Sequence, residues 1–381
     1  MRHTNSIFSQ LLSHIPRHTF QKIVERHKGD KRAGSFTCWS QLSIMLYAQL
    51  CGRKSLRGMV LSWQSHKHLH YHLGAMPVTR STLSDVNRDR PSGIYLELFF
   101  GLLGKLRDTM VGCAEVVRLI DSTTIDLCKQ QFGWATFRSG KAGVKVHTVY
   151  DPNAKVPTFF SITAASKHDK RAAEKMPLID GATYVFDRAY NDYAWYHSMD
   201  QRSIRFVGRM KTNAKFEIVK NMDVSDEGVL EDQMIQLSST KARKDCPIHL
   251  RRIRFVREED GKTLTFITND FKRTAGEIAE LYKQRWQIEL FFKWIKQNLK
   301  IKCFAGRNEN AVKTQIIIAM IAYLLLKLAN QSVASVLSLY QLATLLSVTL
   351  MERRSIDELI LQKDPPEPPE INLNQLSLGL A

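Results

Sequence analysis

A chain of 381 residues and 43.7 kDa exceeds what one hydrophobic core usually holds, so two or three domains are expected. Lys and Arg outnumber Asp and Glu by 55 to 37, giving a formal charge of +18 and a pI near 9.6. Such a surplus calls for a polyanionic partner, nucleic acid first and an anionic membrane surface second. The longest apolar run, Ile316 to Leu326, stops at Lys327 after 11 residues, which excludes a span of about 20 and reads as a buried helix. The opening segment is broken by polar residues too early for a secretory signal, so a cytoplasmic protein is expected. Cysteines 38, 51, 113, 128, 246 and 303 form no Cys-x-x-Cys pair, which excludes a zinc ribbon and a disulfide framework.

Residues 1 to about 110 read as helical and basic, with 16 Lys and Arg against 6 Asp and Glu and eight of the twelve histidines. Helical spacing runs through Cys38 to Leu50 and again through Ile94 to Leu103. Between them Thr79 to Arg90 begins with capping hydroxyls and is expected to expose Asn87, Arg88 and Arg90, as a helix laid on DNA or a solvated polar helix would. His66, His68, His70 and His72 have zinc-compatible i,i+4 spacing but no Cys, Asp or Glu nearby, so a solvated or DNA-facing basic segment is expected there.

From about 115 the pattern changes to short β-branched runs: 116–120, 144–150, 157–163, then a helix from Asp169 to Met176, then 183–186, a helix, and 204–208. That order predicts an α/β domain over 111–330. Inside it, 212–270 reads as a mostly β insertion, in which the alternating cations of Ile248 to Arg257 are expected on an exposed face. A long helix is predicted from Thr274 to about Lys300. Apolar helices follow to about Gln362, and the Pro-rich tail from Asp364 reads as a flexible end, so 331–381 forms a C-terminal segment.

Asp121 directly follows the apolar run 116–120, and Asp187 directly follows 183–186, so both emerge where a strand stops being buried. Strand-end aspartates are ordinarily turn or cap residues. Two-metal phosphoryl transfer, however, needs several carboxylates converging on ions roughly 3.5–4 Å apart. On the long helix Tyr282, Arg285, Glu289 and Lys296 fall at roughly 0°, 300°, 340° and 320°, at about 100° per residue. Arg285 and Glu289 alone would be an ordinary i,i+4 salt bridge. That reading leaves Tyr282 and Lys296 on the same arc unexplained.

The string Leu281-Tyr-Lys-Gln-Arg-Trp-Gln-Ile-Glu-Leu-Phe-Phe-Lys-Trp-Ile-Lys resembles the Tyr-x2-Arg-x3-Glu-x6-Lys signature of the insertion sequence family four transposases. Ile120-Asp-Ser-Thr is similar to that family's first-aspartate motif and Phe186-Asp-Arg-Ala-Tyr to its second, with Ala189 where relatives often have glycine. The resemblance covers about 115–330. It implies an RNase H-like core and cut-and-paste DNA transposition by a dimer on paired transposon ends. It also implies two Mg2+ ions, replaceable by Mn2+, held by Asp121, Asp187 and Glu289, with Tyr282, Arg285 and Lys296 on the terminal phosphates. The first 110 residues resemble, more loosely, the helical end-recognition domains of some relatives.

Two rivals stand beside this reading. A tyrosine recombinase could use Tyr282 with His249-Leu-Arg-Arg252, a weak match because that stretch reads as a strand. A catalytically inactive or domesticated DNA-binding protein would need none of the three carboxylates, all of which are present.

Overall fold

The structure is a computed structural model that describes residues 5–31, 33–108, 115–138, 141–166, 169–299, 301, 304–332 and 337–360. It separates into two compact units, one of residues 1–98 with 317–381 and one of residues 99–316.

The first unit opens with helices α1 (Ile7–Ser13), α2 (Arg17–Arg26), α3 (Cys38–Leu50), α4 (Leu56–Gln64), α5 (His70–Leu73) and α6 (Arg80–Asp89). The hydroxyls of Ser6, Thr37, Ser55 and Thr79 each accept a backbone N–H one turn on, which fixes where α1, α3, α4 and α6 begin. All thirteen residues of α3, which has no charged side chain, are buried. Helix α6 departs from expectation. Asn87 and Arg90 are buried, held by Gln41 at 2.7 and 3.1 Å, because the helix end packs on α3. Arg88 is exposed but paired with Asp85 and Asp89. His70 is buried, stacked on Trp63 at 4.4 Å and bonded to its carbonyl, so the alternating histidines do not form one solvated row.

Helix α7 (Gly93–Asp108) leads into the second unit. That unit is built on strands β1 (Val117–Leu127), β2 (Thr136–Arg138), β3 (Lys141–Asp151) and β4 (Val156–Ala164), helix α8 (Asp169–Ala173), strand β5 (Thr183–Phe186), helix α9 (Tyr193–Gln201) and strand β6 (Arg205–Arg209). The β-rich segment follows: β7 (Phe216–Asn221), β8 (Val229–Leu237), α10 (Thr240–Asp245), β9 (Leu250–Val256) and β10 (Thr263–Thr268). All ten strands form one sheet, ordered β2-β3-β1-β5-β6-β10-β9-β8-β7 with β4 also on β3. β1, β5 and β6 are parallel and the other pairings antiparallel. The insertion is thus a continuation of the central sheet through β10. Strand β8, with its polar Glu231-Asp-Gln, was not legible as a strand.

Under the sheet, the rings of Tyr196 and Phe206 stack at 4.3 Å and Phe186 lies on Phe206 at 6.0 Å. Gly208 permits this, since a Cβ there would come within 2.8 Å of the Phe186 ring. β5 ends where Asp187 caps the short turn that follows, its carboxylate accepting the Ala189 N–H.

Two expectations change here. β1 does not end at Ile120 but runs on to Leu127, because its antiparallel ladder with β3 continues from Leu119↔Tyr150 to Leu127↔Ala142. The long helix is two helices, α11 (Ala275–Lys283) and α12 (Trp286–Asn298). At the junction Arg285 N–H bonds to Tyr282 and Gln287 N–H to Gln284, i→i−3 contacts that tighten the chain into a turn.

The chain ends with α13 (Glu309–Ser332), α14 (Leu339–Thr349) and α15 (Ile356–Ile360). α13 is 24 residues long and apolar enough to cross a membrane by length and composition, but 83% of its apolar stretch is buried in the protein. The Pro-rich tail, Cys113 and Cys303 lie outside the described residues; the described cysteines 38, 51, 128 and 246 are free thiols.

Candidate active site

Parallel pairing of β1 with β5 sets Ile120 beside Phe186, so the next residues, Asp121 and Asp187, lie next to each other at the carboxyl end of β5. Helix α12 packs on β1 and brings Glu289 to the same place, where Asp121 and Glu289 line one open cleft of about 450 Å3. Arg285 joins them: its guanidinium donates to Asp121 at 3.2 Å and to Glu289 at 2.5 Å. The Asp121 carboxyl is raised to about 6 by the sum of its surroundings, burial pushing it up most. Arg285 and the Ser122 amide pull it down, while the charges of Asp187 and Glu289 push it up again.

The other two helix residues take different positions. Tyr282, on α11, is buried with its ring 4.8 Å from that of Phe266, and its hydroxyl is pushed up by burial. The Arg285 guanidinium lies 5.6 Å from its ring centre. Lys296 donates to the Thr124 carbonyl of β1 at 2.9 Å and lines the same cleft as Glu289. The helix break therefore separates Tyr282 from the continuous arc but leaves Arg285, Glu289 and Lys296 together.

All three carboxylates are hard oxygen donors suited to Mg2+ or Mn2+ rather than to zinc. A desolvated aspartate crowded by two further carboxylates is the kind of cluster a divalent cation compensates. With Arg285 between Asp121 and Glu289, no three His, Cys, Asp or Glu side chains among the described residues are gathered closely enough to hold an ion, and this applies equally to the histidines of 66–72. The donor type suits such an ion, and the Arg285 guanidinium stands between Asp121 and Glu289.

A second polar group was missed in the sequence. Asp169 accepts from the Ser122 hydroxyl at 2.8 Å and from Lys145 at 3.1 Å, and lies 3.3 Å from Nδ1 of the fully buried His147. Only the β-ladder reveals it, since Ser122 pairs with His147 and Thr124 with Lys145 across β1 and β3. Burial pushes the Asp169 carboxyl up, but the adjacent His147 ring and the bonds from Ser122 and Lys145 outweigh it and hold the group well below the ordinary carboxylate range. A depressed folded value adds stability that is fully present above about pH 4, where the unfolded carboxylate titrates, and is lost as pH falls through the folded value. Asp169→Asn should therefore shift the acid-unfolding curve least at its most acidic end. Chemical-denaturation midpoints measured between neutral pH and pH 3 check this, and an equal loss at every pH would refute it.

A sheet with two strand-borne carboxylates facing a third on a helix is an arrangement suited to metal-dependent phosphoryl transfer. Residues 112–325 match the family model described as Transposase DDE domain, more than half of the chain, and residues 3–76 match a domain of unknown function (DUF4372). The chain belongs to the DDE transposase family, and it is a DNA transposase. Among its relatives, a protein of Sinorhizobium fredii named as a transposase is 40% identical over 293 residues, 75% of this chain and 81% of that one. A Geobacillus stearothermophilus protein named as an insertion sequence transposase is 32% identical over 214 residues, 55% of this chain and 56% of its own length. A Synechocystis counterpart is 28% identical over 263 residues, 65% of this chain and 71% of its own. A solved piggyBac transposase synaptic complex with hairpin DNA aligns with a TM-score of 0.45 at 11% identity, over 94% of this chain and 80% of that one.

Proposed function

We propose that this transposase moves its own insertion sequence by cut and paste, with Asp121, Asp187 and Glu289 holding two Mg2+ ions. The observation that carries this reading is the register of β1 with β5, which sets Asp121 and Asp187 side by side within reach of the α12 glutamate. Bound ions of this kind supply a polarised nucleophile and neutralise the leaving oxygen. The chain's own part is to converge its carboxylates, to exclude bulk water from Asp121, and to present cations beside them. The strand order β4-β3-β1-β5-β6, with β1, β5 and β6 parallel, supports an RNase H-like core. The test is incubation of purified protein with a DNA end matched to its element: cleavage and strand transfer that need Mg2+ or Mn2+ are expected, and cleavage unaffected by EDTA would overturn the reading.

Residues 111–330 form the catalytic domain in this proposal, and 331–381 a C-terminal helical segment and tail. In the working complex the protein is a dimer on two ends, in the bacterial cytoplasm. Tyr282, Arg285 and Lys296 would grip the end phosphates, with Arg285 exchanging its carboxylates for phosphate oxygens. Arg285→Ala and Lys296→Ala should each lower end-complex assembly roughly tenfold in gel shifts, with folded circular dichroism; unchanged assembly in both would remove them from the interface.

Residues 1–110 would bind the end sequence, and the structure suggests which surface. From Lys31 to Ser84 the chain has no acidic residue. Arg53, Lys54, Arg57 and Lys67 are exposed around α4 with no ion pair among the described residues, and Tyr71 nearby is 89% exposed. The cations of α6, by contrast, are paired or buried except Arg80. Changing Lys54, Arg57 and Lys67 together to Gln should lower end affinity by at least about tenfold at physiological salt and reduce the salt slope by up to about 3. A slope equal to that of the wild type would move the contact elsewhere.

A further inference from the structure

Immediately behind the proposed metal ligands lies a set of half-buried charged and polar side chains around the buried His147 that phosphoryl transfer itself does not use. Lys145 and His147 project from β3, Ser122 from β1, and Asp169 from the start of α8, with Asp169 at the centre. His147 is held from its far side by Thr163 of β4 at 3.0 Å. Because cross-strand partners share a face and successive residues alternate, Ser122 and His147 lie on the face of β1 and β3 opposite the one that Asp121 occupies. Partly burying a lysine and an aspartate beside a buried histidine stabilises a fold little compared with apolar residues of the same volume. What such a cluster provides is geometric definition.

Its connection to Asp121 runs through Ser122. Ser122 gives its hydroxyl to Asp169 and its backbone N–H to Asp121 Oδ1, at 2.7 Å. The bond to Asp169 anchors this stretch of β1, and a shift of the Ser122 backbone would move the N–H that holds the Asp121 carboxylate. The second ligand is reached from the same place. Asp187 Oδ1 accepts the Ala189 amide at 2.8 Å, and Tyr190, which ends that short turn, is fully buried with its hydroxyl among Ser122, Asp169, Asp121 and Asp187.

We propose that Asp169, clamped by Lys145 and His147, is a positioning residue that sets the Asp121 carboxylate for metal binding through Ser122. The inference rests on the metal reading of the site given above. Groups that orient a ligand from behind typically change metal affinity or activity by 10–100-fold when removed.

The test compares wild type, Ser122→Ala, Asp169→Asn and the double variant. Two quantities are read: the Mn2+ concentration that half-saturates end cleavage, and Mn2+ bound by the protein on its end DNA, followed by electron paramagnetic resonance under non-cleaving conditions with a blocked 3′ end. Each single variant should raise half-saturation about tenfold and weaken Mn2+ binding in parallel, with end-DNA affinity unchanged. The double variant should be no worse than the poorer single one, because both act along one chain of contacts. A purely structural cluster would lower the melting temperature and leave the Mn2+ requirement alone, and that outcome overturns the proposal. Should Asp169→Asn fail to fold, Ser122→Ala, which removes one hydroxyl, decides the question. A wild-type protein that cleaves without any divalent ion would instead sink the metal reading itself.

Discussion

Alanine at Asp121, Asp187 or Glu289 should lower strand cleavage and strand transfer by roughly 10³-fold or more, about 4 kcal/mol of barrier, while end binding and folding persist. The size follows from the role the three share, because nucleophile activation and leaving-group stabilisation fail together when one carboxylate of a metal cluster is lost. Folding should survive because each change removes one of several neighbouring like charges. Asp121→Ala also leaves Arg285 its Glu289 partner. End binding rests on cations elsewhere and should keep its salt dependence. Asp126 is the internal control. It sits on the same strand five residues on, is exposed, and its alanine variant should cleave like wild type. The measurement is metal-dependent cleavage of a matched end by all four variants, with circular dichroism and gel shifts alongside. An active Asp187→Ala or Glu289→Ala protein would remove the three-carboxylate mechanism.

The site was legible because its residues sit in local motifs whose spacing survives folding: each aspartate follows an apolar run, and Arg285, Glu289 and Lys296 keep one helical arc. The bend after Tyr282 was not. Gln284 and Arg285 are good helix formers, with no Gly or Pro between 277 and 305 to announce a stop. The break lies where Tyr282 is buried against Phe266 of β10 while the next helix packs on β1, a tertiary demand that no local propensity records. The Asp169 cluster was invisible for a related reason: only the β1–β3 register brings 122, 145 and 147 together, and Asp169 joins them from the start of α8. In the insertion, alternation suggested an exposed cationic face. Arg252 and Arg254 instead pair with Glu231 of β8, and Arg251 on the other face is buried against Asp232, because β9 is an interior strand with a partner on each side.

That buried pair supports the second large expectation. Arg251 grips Asp232 with two bonds, at 2.9 and 2.6 Å, and the two side chains are only 4% and 2% exposed. Its remaining nitrogen donates to the carbonyls of Asp270 and Arg273, at 3.1 and 2.6 Å, in the turn just before α11. Asp226, in the β7–β8 loop, accepts the Gly276 amide at 2.6 Å in the first turn of that helix. The insertion therefore holds the base of the helix pair that carries Arg285 and Glu289. Arg251→Met would leave Asp232 buried without its cation, a change that typically costs about 3–5 kcal/mol. For a unit of this size that corresponds to a melting temperature lower by roughly 10 °C. Replacing both partners, Arg251→Met with Asp232→Leu, should recover most of the stability, since no unpaired charge remains. It should not recover full cleavage, because the carbonyls of Asp270 and Arg273 still lack their donor and the start of α11 is less firmly set. Calorimetry and cleavage of a matched end, run on the single and double variants, separate the two effects. A single variant that melts with the wild type would show that the pair does not hold the insertion, and a double variant with full activity would show that the insertion does not set the catalytic helix.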